Sequence, residues 1–365
     1  MNNSKITTLL ATYKRPRELS RAVLSILNQT YKNLQIAIFD DASSDETEET
    51  IRKLQKEDTR IKYYCHPQNI GALANFKFTF TDIETPYFSI LSDDDILDPK
   101  FYEKAISILE TNPDIMFIIL DSLSIDKDCN LVDEFVPNNK LKFYRDNNRF
   151  DALIKREIPN DWTSMVFRRE VANIYLKMQD NYDISSDMRF LLIAVARYKF
   201  AYLSQIGSYF TIHSESISSN RQFDYFHRIT QLSRYVEIMY DQDVAQEIKK
   251  YIKRKMKKMV KNQFSYEPQL KRAIKYHCSN QTSRIDIAYE IKERRALGMR
   301  LIPVIIQLLF QNKLSKLLIR FFFLKILKRK ELKFRKRTFL LQNSFYKNEF
   351  AYIHAINKQC ETYFF

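Results

Sequence analysis

The sequence predicts an α/β fold over residues 1–218, a mostly parallel sheet flanked by helices, followed by a basic and mainly α-helical region over residues 219–365. Three observations support this. Short apolar runs alternate with helix-periodic segments over residues 1–110, as in layered α/β folds. Acidic clusters directly follow two of the apolar runs. The net charge of +15 is also divided unevenly, because residues 1–218 hold 27 Lys and Arg against 32 Asp and Glu, whereas residues 219–365 hold 32 against 12.

Apolar runs of strand length indicate four strands, and the segments between them have the spacing of helices. Pro16 suits the first turn of a helix that follows strand one. Asp45 and Glu48 have the spacing of a helix N-terminus after strand two, and Asp98 with Pro99 opens a helix after strand four. The predicted strands cover residues 6–11, 34–39, 61–65 and 87–91, and a third helix is expected over residues 73–81.

Two acidic clusters, Asp40-Asp41 and Asp93-Asp94-Asp95, follow predicted strands. In a parallel sheet such positions lie at the carboxyl edge, where ligands bind. Adjacent carboxylates repel one another unless some are protonated or a cation lies among them. Oxygen ligands suit Mg²⁺ or Mn²⁺, which also bind diphosphates. The alternative for the second cluster is a solvated turn with a helix cap at Asp98.

Five ordered segments resemble glycosyltransferase family 2, the inverting enzymes of GT-A fold that move a sugar from a nucleotide-sugar to an acceptor hydroxyl. They read LLATYKRP (residues 9–16), SILNQTY (25–31), IAIFDDASSDET (36–47), NIGALANF (69–76) and YFSILSDDDILDP (87–99). The last segment is similar to the family's strand and D-x-D signature. The resemblance covers most of the first 110 residues and implies a catalytic domain over residues 1–218.

The resemblance also implies roles for individual residues. The nucleotide base and ribose would contact Thr12, Tyr13 and Arg15, with Asp40 or Asp41, and Asp93 would lie on the ribose side. Asp94 would bind a Mn²⁺ or Mg²⁺ ion, which stabilises the leaving diphosphate. Asp95 is a second-choice metal ligand, since Ser92 stands where many members have an aspartate. UDP is the family's commonest donor nucleotide, so a UDP-sugar is expected.

An inverting transfer needs one base to take the acceptor hydroxyl proton. Asp187 resembles the family's second acidic motif, with Ser186 in place of the first acid, and is the expected catalytic base. A helix cap is the alternative role for Asp187, and Asp183 and Asp161 are weaker alternatives for the base.

Two further residues have open roles. His213 matches a position that can approach the metal or diphosphate, although a lone histidine is equally often structural. The only tryptophan, Trp162, could stack on a sugar or pack in the core.

The basic region contains apolar residues with Lys and Arg at helical spacing over residues 301–327, followed by a polybasic run to residue 337. Such a helix fits the plane of an anionic membrane. The alternative is that it packs in a helical bundle, in which case residues 219–365 would serve acceptor binding or oligomerisation. No run of about 18 apolar residues predicts a membrane-spanning helix. The N-terminus lacks the apolar stretch of a signal peptide. The four dispersed cysteines indicate free thiols. We therefore expect a cytoplasmic protein, peripheral on the inner membrane face, with a glycan, lipid-linked or protein acceptor.

Parts of the sequence are also compatible with two other functions. The basic region could bind nucleic acid, but the acidic first part and the absence of a recognition motif argue against a nucleic-acid partner. A nucleotidyltransferase would share the sheet and the acidic metal site, but such enzymes usually carry a glycine-rich loop near the first strand. The chain has three glycines in all, and none lies in that segment. Glycosyl transfer is the favoured function.

Overall fold

A computed structural model describes residues 6–212, apart from residues 82, 133–134, 147–148, 156 and 179–185, together with residues 235, 238–239, 241–263, 352, 355–356 and 359. The chain divides into two compact units. The first contains residues 1–220, 242–248 and 345–365, and the second contains residues 221–241 and 249–344. Asp183, His213 and the segment 301–337 lie outside the described residues, so the predictions made for them stay predictions. The same holds for the predicted domain boundary at residue 218.

Within the described residues, the first unit is built on one mixed sheet of nine strands. The strands are β1 (Ile6–Thr12), β2 (Leu34–Asp40), β3 (Ile61–Cys65), β4 (Tyr87–Ile90), β5 (Ile96–Leu97), β6 (Phe117–Ile125), β7 (Leu141–Tyr144), β8 (Met165–Arg168) and β9 (Phe200–Thr211). Their order in the sheet is β3-β2-β1-β4-β8-β6-β9-β5, with β7 pairing to β9. Strands β3, β2, β1 and β4 are parallel, as are β6 and β9, whereas β8, β5 and β7 pair antiparallel to their neighbours.

The helices that contact this sheet include α1 (Pro16–Leu27), α2 (Thr47–Glu57), α3 (Ala72–Phe78) and α4 (Phe101–Thr111), and α1, α2 and α4 bury an apolar stripe. The other helices of the described residues are α5 (Arg149–Ile154), α6 (Ala172–Lys177), α7 (Ser186–Arg197) and α8 (Gln246–Gln263). Among the described residues, no helix is long and apolar enough to cross a bilayer.

The predicted α/β class is confirmed, and the four predicted strands form within about one residue of their expected bounds. Helix α3 ends at Phe78, earlier than predicted, because the amides of Phe80 and Thr81 bond three residues back and tighten the chain into a turn. Helix α2 begins at Thr47, whose amide donates to the Asp45 carboxylate at 2.9 Å. The antiparallel strands on the β6–β9 side were not predicted.

Part of the chain's C-terminus belongs to the first unit. The Tyr352 hydroxyl donates to the Leu97 carbonyl of β5 at 3.0 Å. Ile356 is 2% exposed and lies in the same apolar cluster as residues of α1, α2 and α4. The first unit therefore includes residues that the sequence-based division assigned to the C-terminal region.

Candidate functional site

The acidic turn, defined as Asp93-Asp94-Asp95, lies at the carboxyl ends of β1 and β4. These strands are parallel neighbours, with Leu9 opposite Ile90, so Thr12 at the end of β1 reaches the turn. The Thr12 hydroxyl donates to Asp93 Oδ2 at 2.8 Å. Parallel pairing also sets Thr12 opposite Asp40 at the end of β2. The sheet thus brings Thr12, Asp40 and Asp93 to one edge, as the strand pattern predicted.

Arg15 joins the two most accessible carboxylates of the acidic turn. Its Nη1 lies 3.2 Å from Asp93 Oδ1 and 3.0 Å from Asp94 Oδ2. Arg15 directly precedes α1 and follows Lys14, whose φ of 56° turns the chain sharply. The Lys14 amide donates to Ser43 Oγ at 2.8 Å and holds that turn beside the end of β2. The structure therefore places Arg15 on the acidic turn itself.

The acidic turn is short of positive charge. Burial raises the pKa of Asp93 to about 6, and the neighbouring Asp94 carboxylate adds to the rise, while Arg15 and Thr12 act in the opposite direction. Burial and Asp94 also hold the pKa of Asp95 well above its ordinary range. Like charges held close together out of water favour a bound cation.

Asp95 is fully buried and has different hydrogen-bond partners from the other two aspartates of the acidic turn. Its Oδ2 accepts from the Thr163 hydroxyl at 2.7 Å, and its Oδ1 accepts from the Thr211 amide at 2.8 Å. These bonds tie the acidic turn to β9 and to the turn before β8. The contacts favour an anchoring role for Asp95, and its assignment as a metal ligand stays a prediction.

Arg21 of α1 holds the acidic turn from the buried side, and the sequence analysis did not identify it. Its Nη2 donates to the Asp94 carbonyl at 2.8 Å, and its Nη1 donates to Cys129 Sγ at 3.1 Å. The Thr211 hydroxyl donates to the same carbonyl. No sequence signal pointed to it, since Arg21 lies on the face of α1 opposite Leu19, Ala22 and Val23, where a solvated arginine is expected. Only the structure shows that it is 5% exposed.

Asp40 and Asp41 are both buried and organise the loops beside the acidic turn. Asp40 accepts from the Ser43 amide at 3.0 Å and from the Tyr63 hydroxyl. Asp41 accepts from the backbone amides of Ile70 at 2.6 Å and Gly71 at 3.0 Å. These bonds link the predicted segments 36–47 and 69–76 in space. A direct contact of either aspartate with a base or ribose stays a prediction.

Tyr13 follows β1 and is 43% exposed, with Lys14 Nζ 5.1 Å from the centre of its ring. An exposed ring beside the carboxyl edge of the sheet offers a surface on which a nucleotide base can stack.

The predicted bases lie on a different element from the acidic turn. Asp187 is partly exposed in the first turn of α7. Asp161 precedes the turn at Trp162–Ser164, where burial raises its pKa and its Oδ2 accepts from Ser164 Oγ at 3.4 Å. Trp162 stacks on Phe76 with ring centres 4.5 Å apart, inside an aromatic cluster. A packing role for Trp162 is therefore favoured over sugar stacking.

The described residues supply part of a metal site. No three His, Cys, Asp or Glu side chains converge on a common point within that part of the chain. The Asp94 carboxylate, 15% exposed beside Asp93, is of the oxygen type that Mn²⁺ and Mg²⁺ prefer. Mg²⁺ sites commonly use one or two carboxylates together with substrate phosphates and water. The residues therefore fit a metal held jointly with a diphosphate.

Residues 7–173 match the family model described as Glycosyl transferase family 2. An uncharacterised glycosyltransferase of Methanocaldococcus jannaschii is 32% identical over 145 residues, which cover 39% of this chain and 50% of that relative. A Campylobacter jejuni protein named GalNAc(5)-diNAcBac-PP-undecaprenol beta-1,3-glucosyltransferase is 33% identical over 134 residues, covering 36% of this chain and 42% of the relative. The matches thus span half or less of these relatives.

Among solved structures, the chain is similar to residues 1–349 of Staphylococcus aureus TarS in complex with UDP-GlcNAc. The TM-score is 0.55 at 13% identity, with 74% of this chain and 79% of that chain covered. At this identity the likeness shows the fold alone. The GT-A fold expected from the sequence is confirmed.

Proposed function

Because this chain belongs to glycosyl transferase family 2 through its residues 7–173, we propose that it is a metal-dependent, inverting glycosyltransferase. One observation carries the proposal: Thr12, Arg15, Asp93 and Asp94 meet at the carboxyl ends of β1 and β4. That edge is where α/β sheets bind nucleotides. Its charge suits a cation together with a diphosphate.

The proposed donor is a UDP-sugar. The family and the fold shared with a protein crystallised with UDP-GlcNAc and with UDP support this choice. The exposed Tyr13 ring would stack on the base, and the Asp93 carboxylate would accept from a ribose hydroxyl. Asp94 would hold the metal, which when bound neutralises charge on the leaving nucleoside diphosphate.

Asp187 is proposed as the single base of the inverting step. The acceptor oxygen would form a bond to the anomeric carbon while its proton passes to the Asp187 carboxylate. The bond from that carbon to the diphosphate would break, and the nucleoside diphosphate would leave with the electron pair. The position of Asp187 at the start of α7, partly exposed, supports this role.

The proposed acceptor is a saccharide on a lipid carrier or a growing surface glycan, at the inner face of a bacterial membrane. A relative's name states a polyprenyl diphosphate-linked acceptor for that protein, which supports the class. The balance of +20 over residues 219–365 supports attraction to an anionic leaflet.

Calorimetric titration with UDP, with and without Mn²⁺, tests the donor site. We expect Mn²⁺-dependent UDP binding that is lost in Asp94→Ala and kept in Asp114→Ala, a matched change at an exposed acid paired with Arg145. Unchanged Mn²⁺-dependent affinity in Asp94→Ala would contradict the assignment. Release of UDP with sugar transfer, rather than formation of pyrophosphate, would separate this function from a nucleotidyltransferase.

A further inference from the structure

We propose that Arg15 is an internal counter-ion that occupies the acidic turn before the donor arrives and is displaced from Asp94 when the metal binds with the diphosphate. This inference rests on the proposed function. It assigns Arg15 a role in coupling metal binding to nucleotide binding, instead of a contact with the base alone.

The geometry places the guanidinium where a cation would lie. One nitrogen, Nη1, contacts both Asp93 Oδ1 and Asp94 Oδ2, at 3.2 and 3.0 Å. Asp93 Oδ2 is engaged by the Thr12 hydroxyl. A metal ion bound to Asp94 Oδ2 would take the position of the guanidinium, and an ion on any other part of this carboxylate would lie close to a positive charge.

Of the two arginines at the acidic turn, Arg15 is the one whose side chain can move away from the carboxylates. Its side chain is 37% exposed, whereas the carboxylates of Asp93 and Asp94 are 11% and 15% exposed. Arg21, the other arginine at the acidic turn, is 5% exposed, and its bonds to the Asp94 carbonyl and to Cys129 fix it there. The two arginines therefore have different roles. Arg21 holds the backbone of the acidic turn, and Arg15 reversibly neutralises the carboxylates of Asp93 and Asp94.

The diphosphate offers Arg15 a new partner. A guanidinium binds phosphate oxygens in a bidentate manner as well as it binds carboxylates. A metal that binds alone must break both ion pairs of Arg15 with no replacement. A metal that binds with a nucleoside diphosphate brings the replacement with it. We therefore expect Mn²⁺ alone to bind weakly and UDP to strengthen its binding.

A purely structural clamp would behave in the opposite way. If Arg15 only held the carboxylates in position, its removal would leave two repelling carboxylates free to spread, and metal affinity would fall or stay the same. The sign of the change in Mn²⁺ affinity therefore separates the two roles without any measurement of activity.

The experiment titrates Mn²⁺ into the full chain, with free Mn²⁺ followed by electron paramagnetic resonance, in the presence and absence of UDP. We compare the wild type with Arg15→Met and Arg15→Gln, which remove the charge, and with Arg15→Lys, which keeps it. Without UDP, the two neutral variants should bind Mn²⁺ about tenfold more tightly, since two partly exposed ion pairs no longer oppose the metal. Arg15→Lys should stay near the wild type, and the UDP-induced gain in Mn²⁺ affinity should shrink in the neutral variants.

Neutral variants that melt like the wild type but bind Mn²⁺ no more tightly would overturn the inference. Two neutral side chains of different polarity protect the test against a folding defect in one of them. A wild type that binds no UDP under any metal condition would instead refute the proposed function, whatever the order of Mn²⁺ affinities.

Discussion

Replacing Asp93 with asparagine should make the protein more stable at alkaline pH while removing a donor-site group. Burial and the neighbouring Asp94 raise the pKa of Asp93 from 3.8 to about 6. A carboxyl whose pKa is higher in the folded state prefers to be protonated there. Its favourable contribution is complete below the unfolded pKa and is lost as the pH rises through the folded pKa.

The size of the effect follows from the shift. About two pKa units correspond to about 3 kcal/mol that the wild type loses between roughly pH 4 and pH 7. Asparagine does not ionise, so the variant keeps this free energy of unfolding. The pKa of about 6 already includes the ion pair with Arg15, so that pair is not subtracted again. Asparagine has one acceptor oxygen where the carboxylate has two, so it loses the hydrogen bond from either Thr12 or Arg15, which costs about 1 kcal/mol. At pH 8 we therefore expect Asp93→Asn to be about 2 kcal/mol more stable than the wild type.

Urea unfolding of both proteins between pH 4.5 and pH 8, followed by circular dichroism, measures this difference. Asp58→Asn is the matched control, because the Arg60 hydrogen bond lowers the pKa of Asp58, so the same substitution there should destabilise by an amount that is already nearly complete at pH 4.5 and stays nearly constant up to pH 8. An advantage of Asp93→Asn that is equal at pH 5 and pH 8, or a loss of stability at pH 8, would refute the reasoning.

Three further predictions test the remaining assignments. Asp187→Asn should lower kcat about 10²- to 10⁴-fold in steady-state assays with UDP affinity nearly unchanged; activity within a few-fold of wild type would move the base to Asp183 or Asp161. Ile356→Ala should lower the free energy of unfolding by about 2–5 kcal/mol because the side chain is buried in the first unit. Gln359→Ala, at an exposed hydrogen bond to Asn28, should change the free energy of unfolding little. Equal effects of the two substitutions would argue against docking of the C-terminal residues. Deleting residues 313–337 should abolish sedimentation with anionic liposomes and preserve UDP binding, and a full-length protein indifferent to anionic lipid would favour the bundle-packing role.

The carboxyl-edge placement of the acidic residues could be predicted from local pattern. Apolar runs such as residues 34–39 are buried strands because nearly every side chain in them is apolar, and Asp40 must then follow at the strand end. The antiparallel strands β5 and β7 were missed for the converse reason. They have two and four residues, too short to carry a recognisable period.

The roles within the acidic turn could be predicted only in part. Three adjacent aspartates have the same local pattern, yet one is anchored by Thr163 and Thr211 and the other two face Arg15. The residues that make this distinction are 68 and 116 positions away along the chain from Asp95. No rule based on sequence spacing relates residues that lie so far apart along the chain.

The sequence by itself determined the α/β class, the positions of the first four strands along the chain and the residues at their carboxyl ends, because periodicity and turn chemistry act over a few residues. Tertiary structure alone decided that Arg15 bridges Asp93 and Asp94, that Arg21 holds the Asp94 carbonyl, and that Ile356 completes the core. These contacts depend on which strands become neighbours and how deeply each group is buried. Burial sets the strength of charge interactions, and it is a property of the whole fold.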